Sequence, residues 1–440
     1  MNFFRICLVS FLLICVSTSA QDRSYAKQIV DTLASPAMHG RGYVANGDKI
    51  AANYISDQFK SFGLVSFNLT GTYFQKFNFP VNTFPGKVEM TFTFADGKKE
   101  VCQPGEHFLV HSEAPSIKGH FKTALLDSSI IYDEAKFQQF KTQNLKKLFL
   151  IVDTNGVRTR KELAIMTNYI RYPLGVKGIL IPIKPKPMTE SCSKLTPWDF
   201  SQVQSTIPIV EIEYAYRSAT EIDICIGAKF FKNYQTQNVI GYIRGAINPD
   251  SFIVFTAHYD HLGQMGKTIY FPGANDNASG IAMLLSLARY YSQAEHKPNY
   301  SIVFMAFSGE EVGLLGSKFY VEHPLFPISR IKFLTNMDIL GTGEEGITVV
   351  NATLFDPEFK KLKEINSEKK YLTLVKPRGK AAISDHYFFT ELNVRSFYIY
   401  TLGGIKAYHD VCDRRETLPL NEFEDLFSLI RDFTDWEDGK

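Results

Sequence analysis

The sequence predicts an α/β fold: a mainly parallel mixed sheet flanked by helices, interrupted by an inserted, mostly β domain. Three observations predict it. From about residue 236, strand-like apolar runs alternate with helix-like ones, the pattern of βαβ units and a parallel sheet. Between 66 and 232 the texture changes to short alternating runs with Pro-rich punctuation at 182–187. The 440 residues are 45% hydrophobic and 14% aromatic, enough for a substantial core. At roughly 150 residues per domain, that length suggests two or three domains.

The elements follow in chain order. Met1–Ala20 reads as a secretory signal peptide: Arg5 is the positive end, Ile6–Val16 the apolar run, and Ser17–Ala20 the small-residue cleavage region. The run is shorter than the roughly 20 residues that span a bilayer, so an exported chain of 420 residues without a membrane span is expected. Residues 24–63 read as helical, from Ala26, Val30 and Leu33 and then Ile50, Ala51, Tyr54, Ile55 and Phe59, with Gly63 as the terminating residue. The middle region is read as β, with alternation at Val88–Phe94, apolar runs at Leu148–Val152 and Gly178–Ile183, and one helix near 159–170. Beyond 236, strands are expected at Phe252–Ala257, Ser301–Phe307, Ile331–Met337 and Ser396–Tyr400, with helices near 278–294, 311–322, 355–367, 384–391 and 421–436. The division is therefore 1–20 signal, 21–65 with 233–440 as one split domain, and 66–232 as the insert.

Charge narrows the function classes. Forty-eight Lys and Arg against 46 Asp and Glu give a net charge of +2, without the basic surplus of a nucleic-acid binder. Signal removal leaves Cys102, Cys192, Cys225 and Cys412, whose spacing fits no zinc-ribbon pattern. Export permits disulfides, and Cys192 with Cys225 is the expected pair; buried free thiols are the alternative.

The chemistry gathers at strand ends, where α/β sheets place their sites. His258-Tyr259-Asp260 closes the Phe252 strand; i and i+2 share a side, so Asp260 stays close to His258. Gly273–Gly280 carries Asp276 at a loop–helix junction, either as an N-cap or as an acid between two cations. Glu310-Glu311 follows the Ser301 strand; paired acids there need a cation or protons, unless they are solvated acids opening a helix. Asp338 and His409 follow two further strands. Five candidate ligands of mixed nitrogen and oxygen type suit zinc better than calcium or magnesium.

This order of motifs (H-x-D, G-A-N-D-N-A-S-G, G-E-E, N-x-D and a late His) resembles the co-catalytic di-zinc metallopeptidases, the bacterial and secreted aminopeptidases and their glutamate carboxypeptidase relatives. The resemblance covers 236–440 and extends loosely to Gly40-Arg41-Gly42. It implies a zinc-peptidase-like sheet and two Zn²⁺ per chain. His258 and Asp338 would hold one ion, Glu311 and His409 the other, and Asp276 would bridge them. Glu310 would be the general base, and Asp260 would orient His258. The implied activity is an exported aminopeptidase attacking peptides with a bridging hydroxide. The insert is similar to a protease-associated domain through Val176–Ile181 and Ile207–Val210. Two departures stand out: Asp410 follows His409 where Thr is common, and 403–407 lacks an extra His. Ser384-Asp385-His386 is similar to a family segment near the site but receives no ligand role. Alternatives are a carboxypeptidase or glutaminyl-cyclase-like relative, or a non-catalytic receptor. Two, one or no zinc per chain would separate peptidase, cyclase and scaffold.

Overall fold

The computed structural model describes residues 23–172, 175–184 and 198–440. The expected signal peptide and Cys192 lie outside these residues. Two eight-stranded sheets carry the fold. The first contains β1 (Phe74–Thr83), β2 (Lys229–Ile243), β3 (Asn248–His258), β4 (Tyr300–Phe307), β5 (Ile331–Met337), β6 (Ile347–Val350), β7 (Val375–Pro377) and β8 (Ser396–Thr401), in the order β1-β2-β4-β3-β5-β8-β6-β7. The central run β4-β3-β5-β8 is parallel, and β1-β2, β2-β4 and β6-β8 are antiparallel. This is the mixed α/β sheet the alternation predicts. β3 from Phe252, β4 from Ser301 and β5 from Phe333 are buried at every position because both faces are covered.

Helices α1 (Arg23–Leu33), α2 (Gly47–Ser61), α3 (Gly280–Tyr291), α4 (Leu315–Glu322), α5 (Asp356–Lys369), α6 (His386–Glu391) and α7 (Phe423–Asp438) flank the sheet. α3 is almost wholly buried, with Ile281, Leu284, Leu285 and Leu287 fully enclosed against β3 and α1. α2 ends where the sequence suggests. Gly63 takes φ +71, and the amides of Gly63 and Leu64 turn back to the carbonyls of Lys60 and Phe59. α4 starts later than the expected 311, because 309–314 forms a turn with Gly309, Gly313 and Leu314 at positive φ.

The second sheet runs Lys99–Cys102, Val88–Thr93, Glu221–Ile226, Ile117–Leu126, Phe149–Val152, Gly178–Ile183, Ile209–Glu213, Phe108–Val110. The expected helix near 159–170 is Arg160–Arg171, with the Thr159 hydroxyl at its N-cap. A further helix, Glu134–Thr142, is capped by Asp133. It buries only Phe140, so its apolar periodicity is too weak to read. β1 falls within the range 66–232, yet it pairs with β2 in the first sheet through Phe74↔Val239 to Thr83↔Lys229. The chain changes sheet between Thr83 and Val88 and returns between Ile226 and Lys229. The two crossings touch, with the Gly86 amide donating to the Gly227 carbonyl at 2.9 Å. The expected Cys192–Cys225 pair does not form: Cys225, on an insert strand, and Cys102 are free thiols, whereas Cys412 is disulfide-bonded.

One close approach fixes the site against the N-terminal helices. A Cβ at Gly42 would lie 2.4 Å from the Gly263 Cα and 2.6 Å from its nitrogen. The Gly42 φ of −97° suits any residue, so only the contact demands glycine. Gly42→Ala is expected to cost about 1–3 kcal/mol by overpacking; urea unfolding that matches the parent chain would contradict it.

Candidate metal centre

All seven candidate residues converge at one end of the parallel strands. His258 ends β3, Glu310 and Glu311 lie just past β4, Asp338 just past β5, and His409 in the loop after β8. β3 sits between β4 and β5, so the chain leaves it to opposite sides and opens a crevice at its carboxyl end. His258, Asp260, Asp276 and Asp338 are all at most 5% exposed.

The donor atoms face one another. His258 Nε2 lies 3.2 Å from Asp276 Oδ1 and 3.3 Å from Asp338 Oδ1. His409 Nε2 lies 3.4 Å from Asp276 Oδ2 and 2.9 Å from Glu311 Oε2. Asp276 thus turns one carboxylate oxygen to each histidine. Glu310 Oε2 stands 4.0 Å from His258 Nε2. Donor atoms of His258, Glu310 and Asp338 lie within 4.8 Å of one another, as do those of His258, Asp276 and Glu311.

Neither structural alternative for the acids fits. Asp276 has φ −109° and ψ 97°, lies before α3 begins, and caps nothing; its peptide to Asn277 is cis. Glu311 lies in the turn that precedes α4, not in the helix's first turn.

Several residues without an assigned sequence role hold this set. The Asp413 carboxylate accepts the amides of Asn275 and Asp276 at 2.8 and 2.9 Å. His261 Nδ1 lies 2.6 Å from Glu311 Oε1, leaving Oε2 for His409. Ser384 donates to Asp338 Oδ2 at 3.0 Å and accepts from Asn336, which in turn accepts from Thr256. Arg41, fully buried, donates to the carbonyls of Leu33, Tyr259, Pro272 and Gly273 at 2.7–2.8 Å. His261 stands three residues after His258, and Asp413 four after His409, so proximity to a motif was the available signal. Asp260 behaves differently from the simple expectation. Its carboxylate is 3.8 Å from His258 Nδ1, whereas its main-chain carbonyl is at 3.2 Å. The carboxylate instead accepts from Tyr43 at 2.6 Å and from the Glu310 amide at 3.3 Å.

Electrostatics show what the cluster lacks. Among the described residues Arg41 is the only buried Lys or Arg, and its N–H groups are turned to carbonyls. Burial pushes the Glu310 carboxyl well above its usual range, aided by Glu311 and Asp338. Burial opposes a charge on His409, but Glu311 and Asp276 override it and lift the imidazole to about 11. Such a set needs cations or protons. Its nitrogen and oxygen donors suit zinc. Ligands about 2.0–2.1 Å from a tetrahedral ion stand roughly 3.3 Å apart. The His258–Asp276, His258–Asp338 and His409–Asp276 separations of 3.2, 3.3 and 3.4 Å match that spacing.

Comparison with known proteins agrees. Residues 238–434 match Peptidase family M28. The chain is 34% identical over 160 residues to Aminopeptidase YwaD of Bacillus subtilis, covering 36% of this chain and 33% of that protein. It is 38% identical over 113 residues to a probable zinc metalloprotease of Pyricularia oryzae, covering 25% and 22%. These matches thus span a third or less of the curated relatives. Among solved structures, a peptidase M28 precursor from Shewanella amazonensis aligns with a TM-score of 0.68 at 16% identity, covering 95% of this chain and 94% of that one. BSAP, a zinc aminopeptidase from Bacillus subtilis, aligns at 0.65 and 22% identity over 93% and 94%. At these identities the likeness concerns the fold, and its extent takes in both sheets.

Asp260 yields a pH prediction. Burial raises its pKa from 3.8 to about 6, against His258 and Tyr43, which lower it. A raised folded-state pKa means stability that is complete below the unfolded value and lost as pH rises through 6. Tyr43→Phe removes a donor and should raise the pKa further. In chelator-treated protein its destabilisation should be about 1–3 kcal/mol at pH 8 and smaller at pH 4. Equal losses at both pH values in urea melts would refute the assignment.

Proposed function

We propose, from the match of residues 238–434 to Peptidase family M28, that this chain is a zinc-dependent exopeptidase, an aminopeptidase releasing N-terminal residues from peptides. The observation that carries this reading is Asp276 lying between two histidines, each of which also meets a second carboxylate. The names of the relatives, aminopeptidase and zinc metalloprotease, favour the same class and the amino-terminal direction.

In this reading His258 and Asp338 would hold one zinc, His409 and Glu311 a second, and Asp276 would serve both. Bound zinc would polarise the substrate carbonyl and make hydroxide available near neutral pH, where bound water can have a pKa of about 7. The chain's own residues do the rest. Glu310 is left without a ligand role, and its carboxylate, 4.0 Å from His258 Nε2, stands where a proton carrier is needed. It takes the proton from the attacking water and delivers it to the leaving amine nitrogen as the C–N bond breaks. Asp260 and Tyr43 hold the amide of Glu310 and the ring of His258 in register. Asp413 and Arg41 fix the loop of Asp276, and Ser384 steadies Asp338.

Export through the Met1–Ala20 segment belongs to the same proposal, as does a protease-associated-like role for the insert. No helix among the described residues is long and apolar enough to cross a membrane. Metal analysis should return two zinc per chain, and a strong chelator should abolish cleavage of amino-acyl substrates. Glu310→Gln should keep both ions while kcat falls by about 10²–10⁴-fold. Near-normal turnover in that variant would remove Glu310 from its role, and chelator-resistant cleavage would overturn the proposal as a whole.

A further inference from the structure

The two histidines differ in what lies behind them. His258 turns its Nδ1 to the Asp260 carbonyl, two residues away in its own loop. His409 turns its Nδ1 to the main-chain carbonyl of Trp198 at 2.7 Å. Trp198 lies in the inserted segment, 211 residues away in sequence. The contact is reciprocal, since the Trp198 amide donates to the His409 carbonyl at 3.2 Å.

Trp198 is itself anchored from both sides. Its indole Nε1 donates to the Val110 carbonyl, on a strand of the second sheet, at 2.7 Å. Its ring stacks on Phe271, a residue of the outer domain, with centroids 5.1 Å apart and planes within 9°. The residues that follow continue the bridge. The Ser201 carbonyl accepts the Asn82 amide at 2.9 Å, and Gln202 Nε2 donates to the Val312 carbonyl at 2.9 Å, one residue past Glu311. Residues 198–202 therefore touch the loop of His409 and the loop of Glu310 and Glu311 together.

We propose that Trp198 is a positioning residue for His409, so that the inserted domain completes one of the two metal sites and leaves the other to the outer domain. This rests on the metal-ligand reading given under the proposed function. The physical argument is tautomeric. A carbonyl can only accept, so it keeps the proton of neutral His409 on Nδ1 and the lone pair on Nε2, towards Asp276 and Glu311. Such a partner also sets the ring's angle, and its loss commonly weakens metal binding by about 10–100-fold. His258 has its Nδ1 partner in its own loop, and the insert reaches it only indirectly, through Phe200 packed on Tyr43 at 5.0 Å, so its site should be spared.

The test is a cobalt titration of the metal-stripped full chain, followed by its visible spectrum and by calorimetry. The parent chain should take two equivalents. Trp198→Ala should bind the first equivalent as the parent does and the second about 10–100-fold more weakly, with a changed spectrum for that ion only. Trp198→Phe keeps the stack on Phe271 and loses the bond to Val110, so it should fall between the two. It also serves as the reporter if the alanine variant fails to fold. Parent-like binding of both equivalents in the folded variants would overturn the inference while leaving the proposed function intact. Equal weakening of both would also overturn it, because that outcome marks a general structural role. A parent chain that binds fewer than two ions would sink the proposed function, and this inference with it.

Discussion

Four carboxylates gather around His258 in two sets, Glu310 with Asp338 and Asp276 with Glu311, each set having donor atoms within 4.8 Å of one another. Like charges in such a place repel strongly. The neighbourhood therefore has two tasks: to hold the acids in place and to offset their charge. Main-chain and side-chain donors perform the first, and two imidazoles supply part of the second. The buried guanidinium of Arg41 is committed to carbonyl groups and does not neutralise the acids directly. The imbalance that is left calls for cations or protons.

The same constraint explains why so many ordinary residues near the site are polar and buried. Tyr43, His261, Ser384 and Asp413 each occupy one lone pair or one amide of a residue facing the centre. What they leave free defines the centre. Arg41 ties α1's end, the loop after β3 and the loop before α3 into one body, so that distant segments share one rigid frame. Its burial lowers its pKa to about 10, still far above neutrality, so the charge persists at working pH.

Much of this was legible in the sequence. The strands that lead to His258, Glu310, Asp338 and His409 contain long buried runs, which read clearly because both sheet faces favour apolar side chains. The candidate motifs stand out because such chemistry uses few residue types and sits near strand ends. Less legible was anything set by tertiary contact. β1 alternates like an insert strand, and only its pairing with β2 assigns it to the first sheet. The Cys192–Cys225 expectation fails because a sequence does not say which thiols meet, and Cys225 is free. A main-chain partner such as the Trp198 carbonyl leaves no mark in the sequence, since every residue has one.

The neck between the sheets has a consequence for how the chain assembles. β1 and β2 pair across 146 residues at Thr83 and Lys229. Joining such distant segments is entropically costly and slow when the intervening chain is loose. Here that chain is a sheet of its own, and its two ends meet where Gly86 touches Gly227. Once the intervening sheet has formed, β1 and β2 are neighbours, and their pairing is kinetically that of a hairpin. During synthesis the whole of that sheet leaves the ribosome before β3, β4 and β5, which must then add to an edge already in place. The interruption thus need not delay the edge on which the later strands build.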